Sequence, residues 1–128
     1  MSQIAHIINY YKNEKVELYE VCDLDEKLAK EVKRKFNFTG KIYRDYTKMD
    51  TKNVDGVVII VQRRLLETIT GYFLKKNCNV FCEKPHSYSL NEYKKNQKNQ
   101  KKIWLKGYVR RHDIAIKQFK KKYLIKKN

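Results

Sequence analysis

The spacing of apolar residues along the chain switches repeatedly between a helical and an extended period. Ile4, Ile7, Ile8 and Tyr11 fall on one face of a helix over residues 2 to 13, which Ser2 can cap. Val16 to Cys22 (VELYEVC) alternates as a strand does and ends at the acidic Asp23. Asp23 is placed to cap a second helix carrying Leu24, Leu28, Val32 and Phe36 at four-residue spacing. Phe38, Thr39 and Gly40 read as a turn, Ile42 and Tyr43 as a short strand, and a short helical piece follows near Thr47.

Asp55 to Val61 (DGVVIIV) is a continuous β-branched run, which predicts a strand buried on both faces of a parallel sheet. Residues 64 to 76 return to the helical period and stop at Asn77, a residue that tolerates the left-handed conformation after a helix. Asn79 to Cys82 is a further short strand. Ser89-Leu90-Asn91-Glu92 is a capping box that opens a very polar helix. Ile103 to Val109 reads as a strand, and Asp113 as the cap of a last amphipathic helix with Ile116, Phe119, Tyr123 and Leu124. Strands and helices alternate throughout, so the pattern predicts an α/β fold: βαβ units with right-handed crossovers and a mainly parallel sheet.

Composition adds a partner class and a compartment. The chain has 128 residues, enough for one domain, and a net charge of +16 from 30 Lys and Arg against 14 Asp and Glu. That balance favours anionic partners such as nucleic acid, an acidic membrane or a phosphate-bearing ligand. The lysines concentrate at residues 94 to 102 and 117 to 127, where a solvated helix face accounts for them. A nucleic-acid surface is the alternative, without zinc-finger spacing, an Arg-Gly repeat or an RNA-recognition signature behind it. Cys22, Cys78 and Cys82 are odd in number with no Cys-x-x-Cys pair, so reduced thiols in a cytoplasmic protein are the expectation rather than a disulfide or zinc framework. No apolar run reaches the roughly 18 residues that span a bilayer, and no signal peptide is visible.

Two places carry chemistry. An acid at the end of a strand, as Asp23 is, can hydrogen-bond both ribose hydroxyls of an adenosine and repel a 2′-phosphate; it can equally serve as a helix cap. Val80-Phe81-Cys82-Glu83-Lys84-Pro85 delivers an acid, a lysine and the one proline of the chain to a strand's carboxyl end, where open α/β sheets bind ligands. A lysine there can donate to a substrate oxygen or relay a proton, or it can form a surface salt bridge.

The order VCDLD, VDGVVIIV, a helix, NVFCEKP and then GYVRRHD resembles the glucose–fructose oxidoreductase / inositol dehydrogenase / MocA (Gfo/Idh/MocA) family over nearly the whole chain. The family pairs an N-terminal Rossmann domain with a C-terminal substrate domain, and Glu-Lys-Pro after a hydrophobic strand is its most specific motif. The resemblance implies NAD, rather than NADP, as cofactor. It implies that Asp23 holds the adenosine ribose, Val61 and Gln62 contact the cofactor, Glu83 lies beside the nicotinamide ribose, and Lys84 is the catalytic lysine next to the substrate hydroxyl. Arg110 falls in the loop that contacts cofactor or substrate, and His112 in a helix-capping position.

The chain also departs from the family pattern. Residues 2 to 13 resemble the helix after the family's Gly-x-Gly-x-x-Gly turn, but no glycine precedes Gly40, so the first strand and the Gly-rich turn are expected to be missing. Proline is usual at the position of Gln62 and histidine near Leu66. The substrate domain is expected to be absent, which makes residues 1 to 128 an incomplete NAD(P)-binding domain that does not complete catalysis alone. In a sheet of order 3-2-1-4-5-6 the missing strand leaves a gap, which pairing of residues 16 to 22 with 55 to 61 would close. The reading is thus a truncated oxidoreductase domain of a sugar or cyclitol dehydrogenase. The alternatives are a nucleotide-binding module completed by a partner chain or a homo-oligomer, a small nucleic-acid-binding protein, or an interaction protein.

Overall fold

The structure, a computed structural model, describes residues 2–85 and 89–108, with residues 113, 114, 117 and 118 beyond them; for residues 2–5 only the backbone is described. Helix α1 (Ser2–Tyr11) comes first, then strand β1 (Val21–Cys22), helix α2 (Glu26–Lys35) and strand β2 (Ile42–Tyr43). A 3-10 turn at Tyr46–Lys48 leads to β3 (Val57–Ile59), α3 (Arg63–Lys75), β4 (Val80–Cys82), α4 (Leu90–Lys98) and β5 (Trp104–Lys106). All pairings are parallel, β1 with β2 and β3-β4-β5 in that order, as the alternation of elements predicts.

The first strand is shorter than its alternating sequence suggests. Thr39 N and Gly40 N donate to the consecutive carbonyls of Leu18 and Tyr19, at 3.3 and 2.6 Å. A parallel ladder engages alternate residues, so regular pairing starts only at Val21, whose N–H donates to Lys41 O at 3.3 Å. Among the described residues no strand joins β1 to β3, so the closing pairing of 16–22 with 55–61 is not made. Helix α1 links the two sheets instead. The Tyr11 ring meets Phe36 at the end of α2 edge-on at 5.7 Å, and His6 lies against Phe81 of β4 at 5.6 Å.

The core lies on one face of β3-β4-β5. Ile59, Val80, Cys82 and Trp104 meet Leu66, Phe73 and Leu74 of α3. The Trp104 indole N–H donates to Cys82 Sγ at 3.2 Å, and burial pushes that thiol's pKa up. Where α3 crosses α4, a Cβ on Gly71 would lie 2.6 Å from Asn96 Oδ1, so the absent side chain lets the buried Asn96 reach across to Glu67 O. Lys106 Nζ sits 4.2 Å over the Trp104 ring and donates to the Tyr93 hydroxyl at 3.0 Å, closing β5 onto α4.

The expectation that residues 55–61 are buried on both faces is not met. Their alternate row runs Val58, Phe81 and Leu105 across the sheet, and Val58 is 43% and Leu105 55% exposed. On that face His6 of α1 lies against Phe81. The last predicted helix lies mostly outside the described residues; within them, Lys117 N donates to Asp113 O at 3.0 Å.

Asn77 ends α3 as its residue type suggests, with φ 62°. Asn77 N donates to Leu74 O and Cys78 N to Phe73 O, the two bonds of a Schellman motif. Asn37 follows α2 with φ 50°, and Phe38 N donates to Lys33 O, the longer of those two bonds. Asn77→Val is expected to lower unfolding free energy by about 1–2 kcal/mol, because a β-branched residue is strained at positive φ. Asn77→Gly is expected to stay within about 0.5 kcal/mol of wild type in the same urea titration.

Candidate functional site at the carboxyl edge

Asp23 leaves β1 with its N–H still paired to Tyr43 O at 3.0 Å, so it belongs to the strand end rather than to the helix. The cap of α2 is Asp25, not Asp23 as the sequence suggests: Asp25 Oδ1 accepts from Lys27 N and Leu28 N at 3.0 and 3.1 Å. Those are the second and third helical N–H groups, and only a residue immediately before Glu26 reaches both. Asp23 Oδ1 accepts the N–H of Asp25 at 2.9 Å, which orders the two-residue approach to the helix. Asp23 Oδ2 has no hydrogen-bond partner among the described residues. Beside it lies a shallow concavity lined by Leu24, Asp25, Glu26, Lys27, Lys30 and Arg44.

Cys22, one residue earlier, is half-buried with its pKa pushed up to about 11, first by burial and then by the charges of Asp23 and Asp45. Only the thiolate is nucleophilic. Iodoacetamide at pH 8 is therefore expected to alkylate native Cys22 at least roughly tenfold more slowly than the same cysteine in urea. Equal rates, read by peptide mass spectrometry, would contradict that environment.

At the end of β3, Val61 is half-buried and packs against the core, while Gln62 stands exposed just before α3 without a side-chain cap bond. Leu66, where the family has histidine nearby, is 1% exposed and fills the core. The two positions thus present one exposed amide side chain, Gln62, to the edge.

Strand β4 delivers Glu83, Lys84 and Pro85 to the same carboxyl edge, with a cis Lys84–Pro85 bond. The Lys84 side chain is exposed and makes no ion pair or hydrogen bond among the described residues. Glu83 is different. Its Oε1 meets His6 Nε2 at 2.6 Å, and its Oε2 accepts the N–H of Lys84 at 3.0 Å. Gly107, just after β5, closes on the same carboxylate: a Cβ there would lie 3.1 Å from Glu83 Oε2. Tyr10, one turn beyond His6, has its pKa raised by burial and then by the Glu83 charge.

The sequence reading missed His6, Tyr10 and Gly107. His6 and Glu83 are 77 residues apart, and no local spacing announces that they meet. Arg110 and His112 lie outside the described residues. Among the described residues there is no cluster of three or more His, Cys, Asp or Glu side chains able to hold a metal, and no helix long and apolar enough to cross a membrane.

Parallel strands that alternate with helices, with Asp23 following β1 and Lys84 following β4, make an α/β class whose ligand groups stand at strand carboxyl ends. Comparison with known proteins makes this specific. The chain belongs to the Gfo/Idh/MocA oxidoreductase family, NAD-binding Rossmann fold, whose sequence model matches residues 2–105. It is 30% identical over 110 residues to inositol 2-dehydrogenase of Salmonella typhimurium, an alignment covering 82% of this chain and 33% of that protein. With inositol 2-dehydrogenase/D-chiro-inositol 3-dehydrogenase of Lacticaseibacillus casei it shares 28% over 111 residues, covering 83% and 32%. The chain thus spans about a third of the length of the curated relatives it matches.

Solved structures agree. Myo-inositol dehydrogenase of Lactobacillus casei, in complex with NAD(H) and myo-inositol, superimposes with a TM-score of 0.86 at 26% identity, over 95% of this chain and 38% of that one. A probable dehydrogenase from Thermotoga maritima gives 0.81 at 27% identity, over 92% and 36%. The chain thus carries the NAD-binding Rossmann fold of the Gfo/Idh/MocA family, as the Glu-Lys-Pro motif suggested, and is similar to the inositol dehydrogenases over about a third of their length.

Proposed function

We propose that this chain binds NAD(H) along its carboxyl edge, in preference to NADP(H), and supplies the cofactor side of a dehydrogenase acting on a sugar or cyclitol hydroxyl. The observation that carries the reading is a pair of unengaged charged groups, each at the carboxyl end of a parallel strand: Asp23 Oδ2 after β1 and the Lys84 ammonium after β4. Asp23 has the free acceptor that two ribose hydroxyls require, beside a concavity with Leu24 and Arg44 on its rim. A 2′-phosphate there would meet the aspartate's like charge. Gln62 offers an exposed amide after β3, just before α3.

The nicotinamide ring, when bound, supplies the hydride acceptor or donor of the family's chemistry. Lys84 does the rest that this edge can do. Its ammonium donates to the hydroxyl or carbonyl oxygen of the substrate, stabilising negative charge that develops there. Glu83 fits a direct ribose contact less well than Asp23 does, since both its oxygens already have partners within the chain. The remaining substrate contacts come from residues outside this edge, in the same polypeptide or in a partner. The free thiols of Cys22, Cys78 and Cys82 suit a cytoplasmic protein.

Chemical-shift mapping tests the assignment. Millimolar NADH is expected to shift the backbone amides of Asp23, Leu24, Gln62 and Lys84, and to leave those of Lys94, Lys95 and Lys98 on α4 in place. Shifts confined to the α4 lysines would show anion binding by the basic surface and defeat the proposal.

A further inference from the structure

His6 projects from α1 onto the carboxylate that follows β4, and the contact is close and sheltered: 2.6 Å between Nε2 and Oε1, with side chains 21% and 20% exposed. The imidazole is held on two further sides, by the Phe81 ring at 5.6 Å and by Tyr10 at 6.4 Å. The other oxygen of Glu83 accepts the backbone N–H of Lys84. Gly107 approaches that same oxygen, and its own N–H donates to Cys82 O at 2.9 Å, which fixes the end of β5 against the end of β4. One carboxylate therefore ties together α1, the Glu83–Lys84 peptide and the chain leaving β5.

We propose that His6 is a positioning residue: by holding Glu83, it sets the backbone from which the Lys84 side chain projects. A carboxylate bonded by Lys84 N–H alone could rotate about its side-chain torsions. The second bond, to a ring wedged between Phe81 and Tyr10, leaves one orientation. Losing a charge-assisted hydrogen bond of this kind changes a local opening equilibrium by roughly tenfold or more. The same contact anchors the amino-terminal half of α1 to β3-β4-β5, while the other end of that helix meets Phe36 at the end of α2. Helix and lysine are thereby coupled: displacement of α1 from β4 releases Glu83 and with it the Lys84 peptide.

The inference rests on the proposed role of Lys84, but its test is read on the free chain and so stands or falls separately from cofactor binding. Amide hydrogen exchange, measured by NMR without nucleotide, reports the Lys84 N–H directly. His6→Phe retains the ring packing and removes the donor. Exchange at Lys84 is expected to accelerate roughly tenfold or more, with Val80 and Cys82 unchanged. His6→Gln, whose amide can donate toward Oε1, is expected to restore protection to within about threefold of wild type. His6→Leu, which also lacks a donor, is expected to give the same pattern if His6→Phe does not fold. Wild-type protection of Lys84 in His6→Phe, or in His6→Leu where His6→Phe fails, would overturn the proposal. Uniform acceleration across β4 would also overturn it, showing a general packing role instead.

Discussion

Phe73→Ala is expected to lower the unfolding free energy by about 3–5 kcal/mol, enough to unfold a marginal domain. Phe73 is 1% exposed and stands at the centre of the α3 face that packs on β3-β4-β5. Its ring meets Tyr72 edge-on at 5.2 Å and lies 6.1 Å from Tyr46 in the 3-10 turn that precedes β3. Truncation removes the transfer free energy of a whole ring and leaves a void that neighbours fixed on a helix and a sheet cannot fill. Phe73 O also accepts the N–H of Cys78 in the motif that ends α3, so the ring anchors the turn into β4 and, through β4, Glu83 and Lys84. Urea titration read by far-ultraviolet circular dichroism checks it: a loss below about 1 kcal/mol would mean that this face is not the core.

Asp23→Asn is expected to have the largest effect on ligand choice. The carboxamide oxygen can still accept the Asp25 N–H that Asp23 Oδ1 now accepts, so the approach to α2 is retained and stability stays within about 0.5 kcal/mol. What is lost is the charge. A ribose hydroxyl donating to a carboxylate gains about 1.5–3 kcal/mol against a net of about 1 for a neutral acceptor. NADH affinity should therefore fall about tenfold, and NADPH affinity should rise as the repulsion of the 2′-phosphate disappears. Parallel titrations of wild type and variant check both. An unchanged ratio between the two cofactors would remove Asp23 from the site.

The parallel α/β plan and the lineage were legible because they are written locally. A β-branched run marks β3, Ser89 with Glu92 marks the start of α4, and Glu-Lys-Pro marks the end of β4. Asn77 could be placed because few residue types accept a positive φ. The misreadings share a different cause: each depended on what lies across space. Asp23 and Asp25 are equally good caps in a linear pattern, and the pairing of Asp23 with Tyr43 decides between them. Val58 looks like a core residue until the sheet shows which face α3 covers. The extended period of residues 16–22 does not reveal that Thr39 and Gly40 meet Leu18 and Tyr19 out of ladder alternation. His6 and Gly107 converge on Glu83 from opposite ends of the chain, so the site's supporting contacts needed the tertiary structure.

We propose that the strand ends carrying Asp23 and Lys84 form an NAD(H) site. Titration calorimetry with NADH and NADPH at millimolar concentration, under identical salt, tests it most directly. Saturable binding of NADH and weaker binding of NADPH are expected. No heat with NADH at millimolar concentration, or NADPH binding as tightly as NADH, would contradict it.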